Sequence, residues 1–401
     1  MKILIAEDDN VSRLLLKKHL EKWGYEVIQA VNGREALLAL QDDPTISLLI
    51  SDWMMPEMDG LDLVEQARRL ERNRYLHIIM LTAKGEKKDL LAGMKAGADV
   101  FLTKPFDSAE LKVQIRVLKR MIDLEEQLAH RLEDLTEAHR RIKGDLTAAA
   151  RIQESLLPRE TPKIEGIDFA WEFLSCDDVA GDMFGVFRLD EHHLGIYILD
   201  VSGHGVQAAL LSVSLSHVLM PLPLAGGPLK RWIPNPPYYE IVSPAEVAAE
   251  LNRRFPVMSQ SNQFFTFLYG VLHLPSREFT FCRAGHTCPI LIRDRTPRLL
   301  AEDVFGLPIG IFDTLDYQNV SLTLRPGDQM IFCTDGIDEA FNAAKEQFGQ
   351  ERIFEVLTSN CHKGIQTALD ALVGSVNTFI GDASRRDDIT VVGLGISENK
   401  A

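Results

Sequence analysis

Cysteine is scarce in this sequence, and its five cysteines form no CxxC pair. An odd number of widely spaced cysteines argues against a disulfide framework or a thiolate zinc site and is typical of a reducing compartment. Long hydrophobic runs are also lacking. The apolar segment that begins at Met1 is too short for the core of a signal peptide, and the stretch from Ala208 to Leu229 is broken by Pro221, Pro223 and Pro228. We therefore expect a cytoplasmic protein with no membrane-spanning segment.

An excess of positive charge is lacking as well, because 43 Lys and Arg residues stand against 58 Asp and Glu, a net charge of −15. Such a charge repels a polyphosphate backbone, and no basic segment or recognition helix stands out, so we expect no nucleic-acid partner. The 46% of hydrophobic and 25% of charged residues are those of ordinary globular proteins. At about 150 residues per domain, the length predicts two to three domains.

The first 120 residues alternate short apolar runs with amphipathic stretches, which predicts buried parallel strands connected by helices. Glu7, Asp8 and Asp52 lie where the first and third strands end, Thr82 closes the next strand, and Lys104 follows the one after. Because ligand sites in such sheets lie at the carboxyl ends of the strands, we expect these side chains to meet there. Clustered carboxylates favour a hard cation such as Mg²⁺, and a carboxylate can accept a phosphoryl group.

This segment resembles the receiver domains of response regulators in four blocks: LIAED at 4–8, SDWMMPEMDG at 51–60, LTA at 81–83 and LTKPF at 102–106. The resemblance implies a doubly wound, flavodoxin-like parallel sheet with Asp52 as the phosphoacceptor. The implied Mg²⁺ ligands are Glu7, Asp8, Asp52 and the carbonyl oxygen of Met54. Thr82 and Phe101 would form the switch pair, and Lys104 would balance the charge of the phosphate. A degenerate receiver is disfavoured because all of the polar residues are present. The implied partner is a sensor histidine kinase or a phosphotransfer protein.

A heptad pattern follows in the segment 108–157, which contains no proline and a single glycine. Apolar positions recur in steps of three and four, with one slip and one polar member: Leu111, Ile115, Leu118, Ile122, Leu128, Leu132, Leu135, His139, Ile142, Leu146 and Ala149. The pattern predicts a helix of roughly 45 residues. Its narrow seam, flanked by charged residues, favours a two-stranded coiled coil and therefore a homodimer. The alternative is a helix that lies on one of its own domains.

The remaining residues alternate β-rich runs with helical patterns, which predicts an α/β domain of about 240 residues. Asp182, Asp200, Asp335 and Asp387 flank these runs. Gathered in one place, the four carboxylates would repel each other unless cations bind. Two metal ions held by carboxylates are a common device for hydrolysing phosphate esters. The prolines in the segment 221–237 predict no regular structure there, but a lid or a recognition loop.

This part of the chain resembles the bacterial PP2C-type serine/threonine phosphatases of the sporulation and stress-response branch. The blocks that carry the resemblance are ARIQESLLP at 150–158, GD at 181–182, DVSGHG at 200–205, FTF at 265–267, AGH at 284–286, GLPIG at 306–310, TDGIDEA at 334–340 and DDIT at 387–390. It implies an α/β sandwich, and two Mg²⁺ or Mn²⁺ ions on Asp182, Asp200, the carbonyl oxygen of Val201, Asp335 and Asp387.

The sequence departs from this family at Gly185, where many members carry a second aspartate, and at Cys288, where a proline is usual. Of three further residues that could act in chemistry, we expect His204 and His286 to be structural. We expect Arg283, the nearest candidate for a phosphate clamp, to be a solvated strand residue.

Taken together, the patterns predict a receiver at 1–120, a coiled-coil linker helix at 121–158 and a phosphatase domain at 159–401. The architecture resembles the RssB-like stationary-phase sigma-factor regulators of pseudomonads. The expected function is a phosphorelay-controlled, metal-dependent phosphoserine/phosphothreonine phosphatase whose substrate is a phosphorylated anti-sigma-factor antagonist. The alternative is a non-catalytic adaptor that binds a sigma factor and delivers it for proteolysis.

Overall fold

A computed structural model of the chain describes residues 1–72, 74–83, 93–158, 162–221, 227–256, 263–312, 315–383 and 385–397. These residues form two compact units, Met1–Ala138 and His139–Ala401. None of the helices within these ranges is both long enough and apolar enough to cross a membrane.

The first unit is built on a five-stranded parallel sheet with the strand order β2-β1-β3-β4-β5. Its strands are β1 Lys2–Ala6, β2 Glu26–Ala30, β3 Ile46–Asp52, β4 His77–Thr82 and β5 Val100–Thr103. Three of its helices are α1 Asn10–Lys22, α2 Gly33–Asp42 and α3 Gly60–Arg69. This order is that of flavodoxin-like doubly wound sheets, so the predicted receiver fold is confirmed.

Helices cover both faces of this sheet, which explains why its central strands are apolar on both sides. Buried residues of α2 and α3 pack on one face against Leu4, Leu49 and Ile78. Buried residues of α1 and of the helix that follows β5 pack on the other face. Side chains cap the helices at their N-termini, as where the Asp9 carboxylate accepts a 2.7 Å hydrogen bond from the amide of Ser12.

The helix α4, Ser108–Leu156, is a single helix of 49 residues, close to the expected length. The apolar residues of its first turns, Leu111, Ile115 and Leu118, are buried in the core of the first unit. The coiled-coil prediction is therefore wrong for this stretch, where the helix lies on its own domain. Further along, Leu128, Leu132, Leu135 and Ile142 are 55–67% exposed and form an apolar stripe that the described residues leave uncovered.

The second unit contains two five-stranded antiparallel sheets, with the strand orders β15-β12-β11-β8-β7 and β14-β13-β16-β17-β6. Its strands are β6 Ile167–Leu174, β7 Met183–Arg188, β8 His193–Val201, β9 Lys230–Trp232, β10 Tyr239–Ile241, β11 Phe265–His273, β12 Glu278–Ala284, β13 Ile290–Arg293, β14 Thr296–Leu299, β15 Val320–Thr323, β16 Gln329–Cys333 and β17 Ile389–Ile396. Its helices are α5 Val206–Val218, α6 Pro244–Arg254, α7 Asp335–Asp338, α8 Gly349–Asn360 and α9 Ile365–Ile380, with a 3₁₀ turn at Cys361–Lys363.

The two sheets pack face to face around one core, to which β8 and β11 contribute from one sheet and β16 and β17 from the other. Trp171 of β6 meets Phe184 of β7 across this core, with 5.2 Å between the ring centroids. Helices α8 and α9 cover the outer face of the second sheet. The predicted α/β sandwich is confirmed.

The proline-rich interval 221–237 departs from the prediction. Residues 222–226 lie outside the described residues, but Lys230–Trp232 pairs antiparallel with Tyr239–Ile241 in a two-stranded ribbon. The prediction of no regular structure is wrong for this part, because the prolines flank the paired residues and leave their amides free to bond.

Candidate functional site

The acidic residues of the first unit meet at the carboxyl end of its sheet. One carboxylate oxygen each from Glu7, Asp8 and Asp52 lies within 4.8 Å of the other two, a spacing suited to a metal ion. Lys104 Nζ lies 2.6 Å from Glu7 Oε2 and 2.9 Å from Asp52 Oδ2. Glu7 is buried and Asp52 is only 14% exposed, whereas Asp8 is exposed. The oxygen-only donor set fits a hard divalent cation.

The charges at this site depend on one another. Burial raises the pKa of Glu7, an effect that the Lys104 ammonium opposes and the Asp52 carboxylate reinforces. For Lys104, burial lowers the pKa, but hydrogen bonds to Glu7 and Asp52 outweigh it and leave the pKa raised. Lys104 therefore stays protonated and supplies a fixed positive charge between the two carboxylates.

Local backbone geometry brings these groups together. The peptide between Lys104 and Pro105 is cis, and the Lys104 amide donates to the Thr82 carbonyl oxygen at 2.7 Å. A Cβ at Gly60 would lie 2.1 Å from the Asp52 carbonyl oxygen, so only glycine allows α3 to begin so close to the end of β3. Thr82 is buried at the end of β4, and Phe101 on β5 is partly buried.

The four aspartates of the second unit come from separate elements but interact through their charges. Asp182 precedes β7, Asp200 is the penultimate residue of β8, Asp335 begins α7, and Asp387 precedes β17. The pKa of Asp200 is raised to about 7, first by burial and then by the negative charges of Asp335 and Asp387. Among the described residues, only the receiver carboxylates form a group of three within 4.8 Å, so the phosphatase aspartates are more widely spread.

Asp182 is the innermost of the four, with 1% exposure. Its Oδ2 atom accepts hydrogen bonds from the hydroxyls of Thr334, at 2.8 Å, and Thr390, at 2.6 Å. Burial raises the pKa of Asp182 well above its ordinary value, followed in effect by the charge of Asp200, and the two hydroxyls oppose that rise. Burial also raises the pKa of Asp335 to about 6, and Asp387 adds to the shift.

Burial is the first cause of these shifts, and the negative charge of neighbouring carboxylates adds to it. Divalent cations would remove that repulsion, and carboxylate and carbonyl oxygens are the ligands they prefer. The backbone of Gly181 approaches the Val201 carbonyl, since a Cβ on this glycine would lie 2.9 Å from that oxygen. The residues present thus fit a carboxylate-bound divalent metal site.

Comparisons with known proteins agree with this division of the chain. The model of the family Stage II sporulation protein E (SpoIIE) matches residues 190–397, more than half of the chain. The chain belongs to the SpoIIE family. The response regulator receiver domain model matches residues 3–116. The chain is thus a response regulator receiver joined to a SpoIIE-type serine/threonine phosphatase domain of PP2C type.

Two individual proteins illustrate the match. Chemotaxis protein CheY1 of Helicobacter pylori is 39% identical over 119 residues, which cover 29% of this chain and 96% of CheY1. The solved structure of the SiaA-PP2C domain of Pseudomonas aeruginosa is 22% identical, with a TM-score of 0.51, and covers 64% of this chain and 98% of that domain. The second likeness shows a shared fold.

A layer of hydrogen bonds behind the SpoIIE-type site was missed by sequence reasoning. Asp388 is 4% exposed, and its carboxylate accepts from the amides of Cys176, at 2.8 Å, and Gly181, at 2.7 Å. It therefore fixes the turn that precedes Asp182. From sequence alone, an aspartate next to a candidate ligand is interpreted as a second ligand or as a solvated residue. The one feature that could have indicated the structural role of Asp388 was the pair of adjacent aspartates at 387–388.

Arg283, expected to be solvated, and His204 and His286, expected to be structural, differ in their surroundings. The Arg283 guanidinium donates to the carbonyl oxygens of His286, at 2.9 Å, and Val304, at 2.6 Å, so it fastens a loop and is not solvated as predicted. His286 is buried, which lowers its pKa to about 3, and its Nδ1 pairs with the Thr266 hydroxyl at 2.7 Å. His204 is exposed and lies 2.8 Å from an Asp177 oxygen.

Replacing Thr390 with valine tests the support of Asp182, because it removes one hydroxyl donor and keeps the shape of the side chain. We expect the free energy of unfolding, measured by urea denaturation, to fall by about 1–3 kcal/mol. Thr378→Val is the control, since the Thr378 hydroxyl donates to the Gly374 carbonyl on an exposed helix surface. Equal stability of the two variants would show that Thr390 does not hold the Asp182 carboxylate.

Proposed function

We propose that phosphorylation of the receiver controls the phosphatase domain, and that the substrate is a phosphorylated anti-sigma-factor antagonist. The sensor kinase or phosphotransfer protein, the sigma-factor pathway and a cytoplasmic location belong to this proposal. The observation that carries it is the set of interacting aspartates with raised pKa values in the phosphatase unit, in the same chain as a receiver site whose acidic residues meet. These aspartates favour catalysis over the alternative, a non-catalytic adaptor for a sigma factor.

In the receiver, an oxygen of the Asp52 carboxylate attacks the phosphorus of the donor, an acyl phosphate forms, and the bond from phosphorus to the donor breaks. Glu7, Asp8, Asp52 and the carbonyl oxygen of Met54 would hold Mg²⁺. Lys104, which lies 2.9 Å from Asp52, then pairs with the added phosphoryl charge. Thr82 and Phe101 are the proposed switch residues.

In the phosphatase domain, the proposed ligands of two Mg²⁺ or Mn²⁺ ions are Asp182, Asp200, the Val201 carbonyl, Asp335 and Asp387. Such ions supply Lewis-acid activation of water and of the phosphate ester. The chain itself positions the ligands, because Thr334 and Thr390 hold the Asp182 carboxylate in one orientation. Asp388 fixes the preceding turn through the Gly181 amide.

The exposed stripe of helix α4 supports the remaining proposal, a homodimer. Leu128, Leu132, Leu135 and Ile142 recur in steps of four, three and seven and are more than half exposed. Burying such a stripe against a second copy would remove apolar surface from water along one continuous seam. We retain 121–158 as the proposed linker segment, between a receiver at 1–120 and a phosphatase domain at 159–401.

The deciding experiment is Mn²⁺-dependent phosphate release from a phosphoserine protein, with p-nitrophenyl phosphate as a generic ester. We expect turnover by the wild type in Mn²⁺, none in excess chelator, and none by Asp335→Ala. Equal release by Asp335→Ala, or release that persists in chelator, would contradict the assignment of the metal site.

Replacing Asp52 with alanine tests the receiver chemistry. We expect the variant to lose all labelling by acetyl phosphate in Mg²⁺, because Asp52 is the partly exposed carboxylate that pairs with Lys104, whereas Glu7, the other partner of Lys104, is buried. Intact-mass spectrometry measures the label. Asp62→Ala, a change on the exposed first turn of α3, should keep it. Retained label on Asp52→Ala would place the acceptor elsewhere.

A further inference from the structure

A small cavity adjoins the candidate metal ligand Asp387. Its volume is about 180 Å³, and its lining includes Asp387, Gly336 next to Asp335, and the guanidinium-bearing residues Arg385 and Arg386. The rest of the lining consists of Glu339 and four apolar residues, Ala340, Phe341, Ile380 and Ile389. The cavity is therefore continuous with the proposed reaction site on one side and apolar on the other.

Arg386 is held at this cavity without using its hydrogen-bond donors. Its guanidinium carbon lies 5.1 Å from the centroid of the Phe341 ring, and the residue is exposed. Among the described residues it makes no ion pair or hydrogen bond, although Asp387 is its neighbour in sequence and Glu339 lines the same cavity. By contrast, Arg385 donates to Asn377 Oδ1 at 3.3 Å.

Stacking of this kind orients a guanidinium plane and leaves its N–H fork open. A fork that points to no protein acceptor is available to a phosphoryl group, which arginine binds with two parallel hydrogen bonds. A positively charged side chain at this place would favour binding, because the negatively charged phosphate ester must approach a cluster of carboxylates. The Asp387 carboxylate in this cluster already has a raised pKa, owing first to burial.

The size of the cavity limits what else it can hold. Sites for drug-sized ligands measure about 300–1,000 Å³, whereas this cavity has about 180 Å³. It can accommodate one side chain of a larger substrate. Because four apolar residues line it, the side chain that gains most from entering is itself apolar.

We propose that this cavity, the Arg386 subsite, binds the phosphoprotein substrate beside the metal centre. The Arg386 guanidinium pairs with phosphoryl oxygens of the substrate, and the apolar wall receives one apolar side chain next to the phosphorylated residue. The inference rests on the proposed function and deepens it by assigning a residue that binds the phosphoryl group and an apolar wall that selects its neighbouring side chain.

Kinetic measurements on the full chain in Mn²⁺ test the two parts of the proposal, the phosphoryl contact of Arg386 and the apolar wall. Arg386→Gln should raise KM about tenfold or more for both p-nitrophenyl phosphate and a phosphoserine peptide, because a charge-assisted hydrogen bond is lost from each. Arg386→Lys should recover part of this loss, since it keeps the charge but not the fork. For the wild type, a peptide with leucine on both sides of phosphoserine should have about tenfold higher kcat/KM than one with glycine there.

A matched control separates the subsite from general stability. Arg352 also stacks on a phenylalanine, with its guanidinium carbon 4.8 Å from the ring centroid of Phe379, but it does not line this cavity. Arg352→Gln should leave KM for both substrates within twofold of the wild type.

A binding measurement provides a readout that does not depend on hydrolysis. Calorimetry in Mn²⁺ with a peptide that carries a non-hydrolysable phosphonate in place of phosphoserine should show about tenfold weaker binding by Arg386→Gln. Arg386-dependent binding without phosphate release by the wild type would contradict the proposed function and support the subsite. Hydrolysis by the wild type with affinity and KM unchanged in Arg386→Gln, or equal kcat/KM for the two peptides, would overturn the subsite.

Discussion

Replacing Asp200 with asparagine should abolish phosphate release and, in the absence of metal, make the protein more stable at about pH 8. Both effects come from one carboxylate. The change removes a proposed ligand charge without altering the volume of the side chain, and we expect turnover to fall at least ~100-fold, since metal activation contributes several kcal/mol. Phosphate release from p-nitrophenyl phosphate in saturating Mn²⁺ measures the first effect.

The second effect follows from the pKa of Asp200, which burial and then the charges of Asp335 and Asp387 raise from 3.8 to about 7. A carboxyl with a raised pKa binds its proton more tightly in the folded state than in the unfolded state. The metal-free protein therefore loses stability as the pH rises from about 4 to about 7, and an asparagine at this position would carry no such charge. The full shift corresponds to about 4 kcal/mol, which solvent reduces because Asp200 is only partly buried. We therefore expect Asp200→Asn to gain about 2 kcal/mol, or roughly 4–8 °C in Tm, over the wild type at about pH 8 in chelator.

Adding metal should reverse which of the two proteins is the more stable. Mn²⁺ should raise the Tm of the phosphatase unit in the wild type and leave it nearly unchanged in Asp200→Asn, because binding to the folded state alone stabilises it. The receiver transition, which depends on Glu7, Asp8 and Asp52, should respond to Mn²⁺ equally in both proteins. Asp303→Asn, a change at an exposed residue, is the control and should follow the wild type in every condition. An Asp200→Asn variant that is no more stable than the wild type in chelator, or that still gains from Mn²⁺, would refute the assignment.

The sequence was sufficient to predict the fold and the positions of the acidic residues, because buried strands and their carboxyl ends leave strong local signals. Each apolar run interpreted as a strand of the receiver lies in β1, β3, β4 or β5. Strand β2, Glu26–Ala30, has no such run, since only Ala30 in it is buried. Short or half-exposed strands carry little periodic signal, which also explains the missed ribbon at Lys230–Trp232.

The contacts that make the sites work could not be predicted in the same way. An apolar stripe at heptad spacing looks the same whether it packs on its own domain, as at Leu111 and Ile115, or lies exposed, as at Leu132. Thr334 and Thr390 read as ordinary residues at strand ends, and only the fold places both hydroxyls on Asp182. The proposed role of Arg386 in substrate binding could not be predicted either, because its stacking partner Phe341 is distant in sequence.

Charged substitutions in the exposed stripe of helix α4 should yield monomers and uncouple the phosphatase from Asp52. The helix is continuous from Ser108 to Leu156, so it crosses the boundary between the two units without interruption. In the proposed mechanism, phosphorylation of Asp52 changes the charge at the receiver and the position of the proposed switch residues, and an element with two discrete arrangements must carry that change. A paired helix whose register can shift is such an element. The slip between Ile122 and Leu128 and the polar His139 mark where register is least fixed.

We expect the double variant Leu132→Glu, Leu135→Glu to sediment as a monomer at concentrations where the wild type is a dimer, because burying four carboxylates in one seam is prohibitive. Its phosphate release should no longer respond to acetyl phosphate, although Asp52 still takes the label. The control places two glutamates on the opposite side of the same helix, at His130→Glu and Arg141→Glu, and should remain dimeric and responsive. A seam variant that stays dimeric, or that responds to phosphorylation as a monomer, would reject the coupling through a paired helix.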